Sequence, residues 1–217
     1  MGVLALGSYG SSGASAQEPF GGAYAGLGFG PVSYNTRIAF DGVFDPAGRG
    51  GLVYGVSGGY DHAFGLWIVG AEATITAASV PDPYTFDPAV TGFAELHLRR
   101  GTSAGLNVRG GYVLGGRVLV HAGVGISVAT QSVRLDGRPL SDFEGGSEAE
   151  RFVTLQRSLG VEGGVGSRVR LGFSFRSSAG HDLSADDFGR VVDDASLTFF
   201  DLEPSQDEFI FGVRFGL

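Results

Sequence analysis

The ten residues at the C-terminus, EFIFGVRFGL, constrain the fold more than any other part of this chain. Phe209, Phe211, Val213, Phe215 and Leu217 share one parity, and Ile210, Gly212, Arg214 and Gly216 share the other. A strand sends alternate side chains to opposite faces, so one face here is large and apolar. The other is mostly glycine with a single arginine. A sheet wetted by water would carry Lys, Glu or Thr on that second face. Glycine and arginine suit the crowded interior of a narrow barrel whose apolar face meets lipid. The segment is expected to be the closing strand of a transmembrane β-barrel.

The same alternation recurs along the chain, in segments separated by connections of two unequal kinds. Strands are expected at about residues 22–32, 51–60, 67–76, 94–112, 118–128, 153–162, 169–176 and 208–217. Short turns are expected at 61–65, 114–117 and around Gly166 and Ser167, and long polar loops follow strands one, three, five and seven. Residues 94–112 are expected to keep one parity throughout, with Arg100 on the outward side above the hydrocarbon. Arg157 interrupts the outward face of strand six near its loop end, where it could snorkel to headgroups. An even strand number with short and long connections in strict alternation is the pattern of outer-membrane barrels. The expected fold is all-β, an eight-stranded antiparallel up-and-down transmembrane β-barrel with short periplasmic turns and long outer loops. Tyr60, Trp67, Tyr112 and Phe215 gather at the short-turn end, as an interfacial aromatic belt would.

Composition supports this reading. Glycine makes up 39 of 217 residues without a collagen period, and tightly curved, crowded sheets supply a reason. There is no cysteine, which excludes a disulfide framework and thiolate metal sites. A net charge of −8 argues against nucleic acid as a partner. Nine of the 23 acidic residues fall between His181 and Glu208 and five between Val133 and Glu150, stretches assigned here to loops. Residues 1–16 read as the remnant of a signal peptide ending in Ala14-Ser15-Ala16, with the barrel occupying 17–217.

Several motifs resemble the small eight-stranded outer-membrane β-barrel family, similar to the OmpA-like transmembrane domain and porin-family barrels of Gram-negative bacteria. These are Leu106-Asn-Val-Arg109-Gly-Gly-Tyr112, His121-Ala-Gly-Val-Gly125, Gly160-Val-Glu162-Gly, and the terminal Gly212-x-x-Phe215-x-Leu217. The resemblance implies that Gly212, Phe215 and Leu217 form the signal read by the barrel assembly machinery. Ile210, where the signal usually has a polar residue, and the final Leu217 depart from it. The resemblance also implies an outer-membrane location, with lipid and lipopolysaccharide as surroundings; no cofactor is expected.

Eight strands leave an interior just wide enough for side chains. The expected inward polar set is Glu72, Arg109, His121, Glu162, Arg170, Arg176 and Arg214, paired because charges in a low dielectric need partners. A structural barrel plugged by these side chains is the expected function, with a narrow porin-like channel as the alternative. A soluble lipocalin-like carrier would need the apolar parity inside. A lipid-modifying barrel enzyme would need a lipid-facing His and Ser, whereas His121 has inward parity and Gly123 stands two residues on. His181 and Ser184 lack a visible base arrangement, and Asp182 to Asp193 match a calcium loop poorly. Tyr34, Phe40, Phe44, Tyr84 and Phe86 on the first two outer loops are candidates for contact with an extracellular ligand.

Overall fold

The computed structural model describes residues 20–40, 43–79, 84–85, 95–135, 138–139, 150–179 and 200–217. Eight long strands form the wall: β1 (Gly22–Phe40), β2 (Val43–Phe64), β3 (Trp67–Ser79), β4 (Glu95–Leu114), β5 (Val118–Leu135), β6 (Glu150–Val165), β7 (Val169–Ala179) and β8 (Phe200–Gly216). Each pairs antiparallel with its sequence neighbours, and β8 pairs with β1, so the sheet closes. Two-residue strands, Tyr84–Thr85 and Arg138–Pro139, add short ladders to β4 and β5.

Register fixes the shape of this closed sheet. One lateral row runs Tyr60, Ala71, Val108, Val124, Arg157, Ser177, Asp207, Ser33 and returns to β2 at Gly50, ten residues from its start. That stagger, spread over eight strands, tilts them by roughly 35–45° to the barrel axis. The lumen is then only as wide as the side chains it holds.

Outside, the alternation produces an apolar girdle. Leu27, Phe29, Leu52, Val56, Trp67, Ile75, Leu106, Val108, Val124 and Leu159 are all exposed on the outer surface. Tyr60 and Trp67 stand exposed at the short-turn end, and Trp67 packs edge-on against Tyr112, with ring centroids 5.0 Å apart. Only about nine to eleven residues are needed to cross the hydrocarbon, yet β1, β2 and β4 have 19, 22 and 20. Their upper parts therefore stand beyond the membrane on the long-loop side.

Several expected boundaries change. Residues 33–49, expected as a loop, are mostly strand: β1 and β2 stay paired up to Phe40 opposite Val43. β8 begins at Phe200 rather than Glu208 and follows β1 to the same height, so Asp201, Glu203 and Asp207 belong to a strand rather than a loop. β5 likewise continues to Leu135, and β6 starts at Glu150. β4 carries one extra residue between Arg100 and Ser103, where Arg100 faces Gln131 and Ser103 faces Ala129. This bulge interrupts the parity expected to run unbroken from 94 to 112. The first short turn is not 61–65 but Gly65–Leu66, because β2 extends to Phe64. Residues 1–16 lie outside the described residues, as do Phe86, His181, Ser184 and the segment from Asp182 to Asp193.

Gly65 has φ of 63°, a conformation a side chain resists. Gly65→Val is expected to lower unfolding stability by about 1–2 kcal/mol, read as the urea midpoint of the refolded barrel in detergent. An unchanged midpoint would show that the turn relaxes at no cost.

Candidate functional site: the barrel interior

The inward positions of the strands bring acids and arginines from different walls into one buried network. Asp61 of β2 is 1 % exposed and lies at its centre. Arg109 of β4 grips it with two bonds, Nε to Oδ1 at 3.0 Å and Nη2 to Oδ2 at 2.5 Å. Arg170 of β7 donates Nη1 to the same Oδ2 at 2.6 Å. Arg109 also reaches Glu162 of β6 through Nη1 at 2.5 Å, and Glu162 pairs with Arg214 of β8. His121 Nε2 lies 3.1 Å from Glu162 Oε1.

Above this cluster, Glu72 of β3 accepts from Arg176 of β7 at 3.0 Å and pairs with Arg214 through its other oxygen. β3 and β7 face each other across the barrel, so the Glu72–Arg176 bond spans the lumen. Each carboxylate is shared by at least two guanidiniums. A paired, forked geometry of this kind offsets the desolvation that an isolated buried ion would suffer.

Tyr24 of β1 fills the centre of the network. Its hydroxyl donates to Glu72 at 3.0 Å, and Arg109, Arg170 and Arg214 stand 5.0, 5.0 and 5.2 Å from its ring centroid. Cations over an aromatic face are attracted by its quadrupole, more strongly when desolvated. Glycines on neighbouring strands make the room. A β-carbon at Gly59, directly across from Tyr24, would sit 2.6 Å from its Cζ, and one at Gly160 would sit 2.6 Å from His121 Cε1.

Apolar clusters close the network at both ends. Phe20, Ile68, Val113 and Leu119 fill the short-turn end, with Phe20 ring stacked 5.6 Å from the Arg170 guanidinium. Val32, Tyr34, Val53 and Ile210 fill the outer half. A cavity beside the glycine-rich wall is lined by Gly28, Gly55, Gly172, Thr74 and Ile210.

All seven residues expected inside, Glu72, Arg109, His121, Glu162, Arg170, Arg176 and Arg214, point into the lumen and share this network. Asp61 and Tyr24 escaped sequence reasoning. Asp61 sits in Tyr60-Asp-His-Ala-Phe-Gly65, which reads as a turn, but the odd parity of residues 51–59 continues to it. Tyr34, expected on an exposed loop, is buried in the outer cluster because β1 runs past it. Phe40 and Phe44 fall in the upper β1–β2 hairpin. Of the terminal triplet, Gly212 pairs with Gly28 and Gly172 inside the wall, while Phe215 and Leu217 are exposed on its outer edge.

Residues 1–215 match the model of the outer membrane protein beta-barrel domain. The chain belongs to that family. It is an outer-membrane β-barrel protein, and the closed wall described above is the family's domain. Among solved structures it is similar to Neisserial surface protein A, with 15% identity and TM-score 0.50 over 90% of this chain and 99% of that one. Outer membrane protein OprG from Pseudomonas aeruginosa gives 16% and 0.48 over 93% and 100%. Ail, the attachment invasion locus protein of Yersinia pestis, solved with the heparin analogue sucrose octasulfate, gives 10% and 0.40 over 89% and 98%. At such identities the likeness is one of fold. No curated protein matches the sequence.

Asp61→Ala leaves Arg109 and Arg170 buried beside a missing anion. It is expected to destabilise the barrel by about 3–5 kcal/mol, against almost nothing for Arg168→Ala in the exposed turn between β6 and β7. Urea unfolding followed by tryptophan fluorescence compares Asp61→Ala with Arg168→Ala, and equal losses would remove Asp61 from the centre of the network.

Proposed function

We propose that this barrel is a closed structural scaffold of the outer membrane whose projecting hairpins serve as its recognition surface. The observation that carries the reading is the Glu72–Arg176 bond across the lumen, with the other ion pairs packed around it. Solute passage would require breaking buried, shared ion pairs and displacing an apolar cluster at each end. Breaking the pairs leaves charges without partners in low dielectric. A narrow channel is therefore the weaker reading.

Recognition is supported by what projects. β2, β1 and β8 remain hydrogen-bonded together well above Leu52, where β2 last pairs with β3. They present a three-stranded platform beyond the membrane rim. Rigid strands that carry connecting segments outward are a common foundation for binding surfaces. Lipid and lipopolysaccharide meet the apolar girdle, an extracellular ligand would meet the platform, and the barrel assembly machinery would engage Gly212, Phe215 and Leu217 at the open edge of β8 during insertion.

Planar bilayers containing the purified barrel in molar salt test the closed reading. No unitary conductance steps are expected from the native chain, and steps should appear for Glu72→Ala/Arg176→Ala, which removes the tie across the lumen. Regular steps from the native protein would make it a channel.

A further inference from the structure

One row of the outer wall changes from apolar to polar as it climbs, and a charged residue enters it at mid-height. The lateral row that climbs from Tyr60 to Gly50 starts with Tyr60, Ala71, Val108 and Val124 and then changes to Arg157, Ser177, Asp207 and Ser33. All eight have outward parity. Arg157 stands halfway along the climb, exposed between Leu155 and Leu159, which are exposed too. A cation on the lipid face of a barrel is unfavourable, and the more so the deeper it lies. Among the described residues, neither Arg157 nor Asp207 has an ion-pair partner.

Directly below this polar lane, the same wall carries a ladder of phenylalanines. Phe175, Phe209, Phe173, Phe211 and Phe29 succeed one another across β7, β8 and β1, with centroids 5.0, 6.0, 5.2 and 6.4 Å apart. Cation, hydroxyl, anion, in that order with equal spacing, form a self-complementary set. A twofold axis along the membrane normal beside Ser177 would bring Arg157 of each copy against Asp207 of the other. Ser177 lies on β7, midway between Arg157 on β6 and Asp207 on β8, and its small side chain permits close approach of the two walls. Asp207 stands higher along the climb than Arg157, and the long arginine stem can bend upward to it. Isologous pairing of this kind is how symmetric dimers are built.

We propose that the β6–β7–β8 wall is the interface of a homodimer within the membrane, closed by reciprocal Arg157–Asp207 ion pairs over a packed phenylalanine ladder. A second copy fits better than a lipid phosphate, because Asp207 in the same lane would repel an anion held by Arg157.

The chain has no cysteine, so a single introduced thiol reports cleanly. Ser177→Cys is placed at the proposed axis, and Ala104→Cys, outward on β4, serves as the control wall. Outer-membrane vesicles are treated with a short bifunctional thiol reagent, and folding of each variant is checked by its heat-shifted gel band. Ser177→Cys is expected to give a crosslinked dimer and Ala104→Cys only a collisional background. Arg157→Asp in the Ser177→Cys chain should reduce the dimer to that background, and Arg157→Asp/Asp207→Arg should restore it. Equal crosslinking from both walls, or none from Ser177→Cys, overturns the proposal. Loss on Arg157→Asp without rescue by the swapped pair also overturns it and assigns Arg157 to a lipid anion instead.

Discussion

Carboxylates shared between guanidiniums inside a narrow closed sheet are the interaction on which this structure depends. A barrel that turns most of its apolar side chains to lipid keeps only a small apolar cluster at each end of its interior. Its interior must supply cohesion by other means. Asp61 joins β2 to β4 and β7, Glu162 joins β6 to β4 and β8, and Glu72 joins β3 to β7 and β8. Through three acids the network ties together six of the eight strands, and Tyr24 brings in β1. Buried ion pairs do not necessarily add net stability over an apolar filling of equal volume. What they do is make loss of any one member costly, since the rest are left charged and dry. That asymmetry favours a single arrangement of the lumen.

Glycine is the complement of this network. The stagger of ten residues leaves a lumen too narrow for large side chains from every strand at one level. Large groups instead alternate laterally with glycine: Tyr24 with Gly59, His121 with Gly160, Glu162 with Gly172, and Arg214 with Gly26. The unusual glycine content is thereby a packing requirement of the charged interior. It is also why the second face of the terminal strand could announce a barrel.

Much of this was legible because the side-chain period of a strand is two. Parity divides each strand into two faces, and the glycine and charge on one of them mark it as the lumen, which puts Glu72, Arg109, His121, Glu162, Arg170, Arg176 and Arg214 on the inward side. Parity does not say where a strand stops. Turn-forming residues near Asp61 hid the continuation of β2, and the polar, proline-containing stretch after Val32 hid the paired extensions of β1 and β2. Their pairing is long-range, with β8 supplying one flank from the other end of the chain. The bulge after Arg100 is equally invisible locally, since an extra residue shows only against its partner strand. Which carboxylate meets which guanidinium depends on the lateral stagger, and that exists only once the barrel has closed.

The central claim is that ion pairs across the lumen hold the walls together. A double-mutant cycle on Glu72 and Arg176 tests it most directly, using urea unfolding of the native barrel, Glu72→Ala, Arg176→Ala and the double variant in detergent. The account predicts that the double loss is smaller than the sum of the single losses, by a coupling of about 1–3 kcal/mol. Strict additivity would mean that the bond joining β3 to β7 contributes nothing, and that the wall is held by its backbone ladder alone.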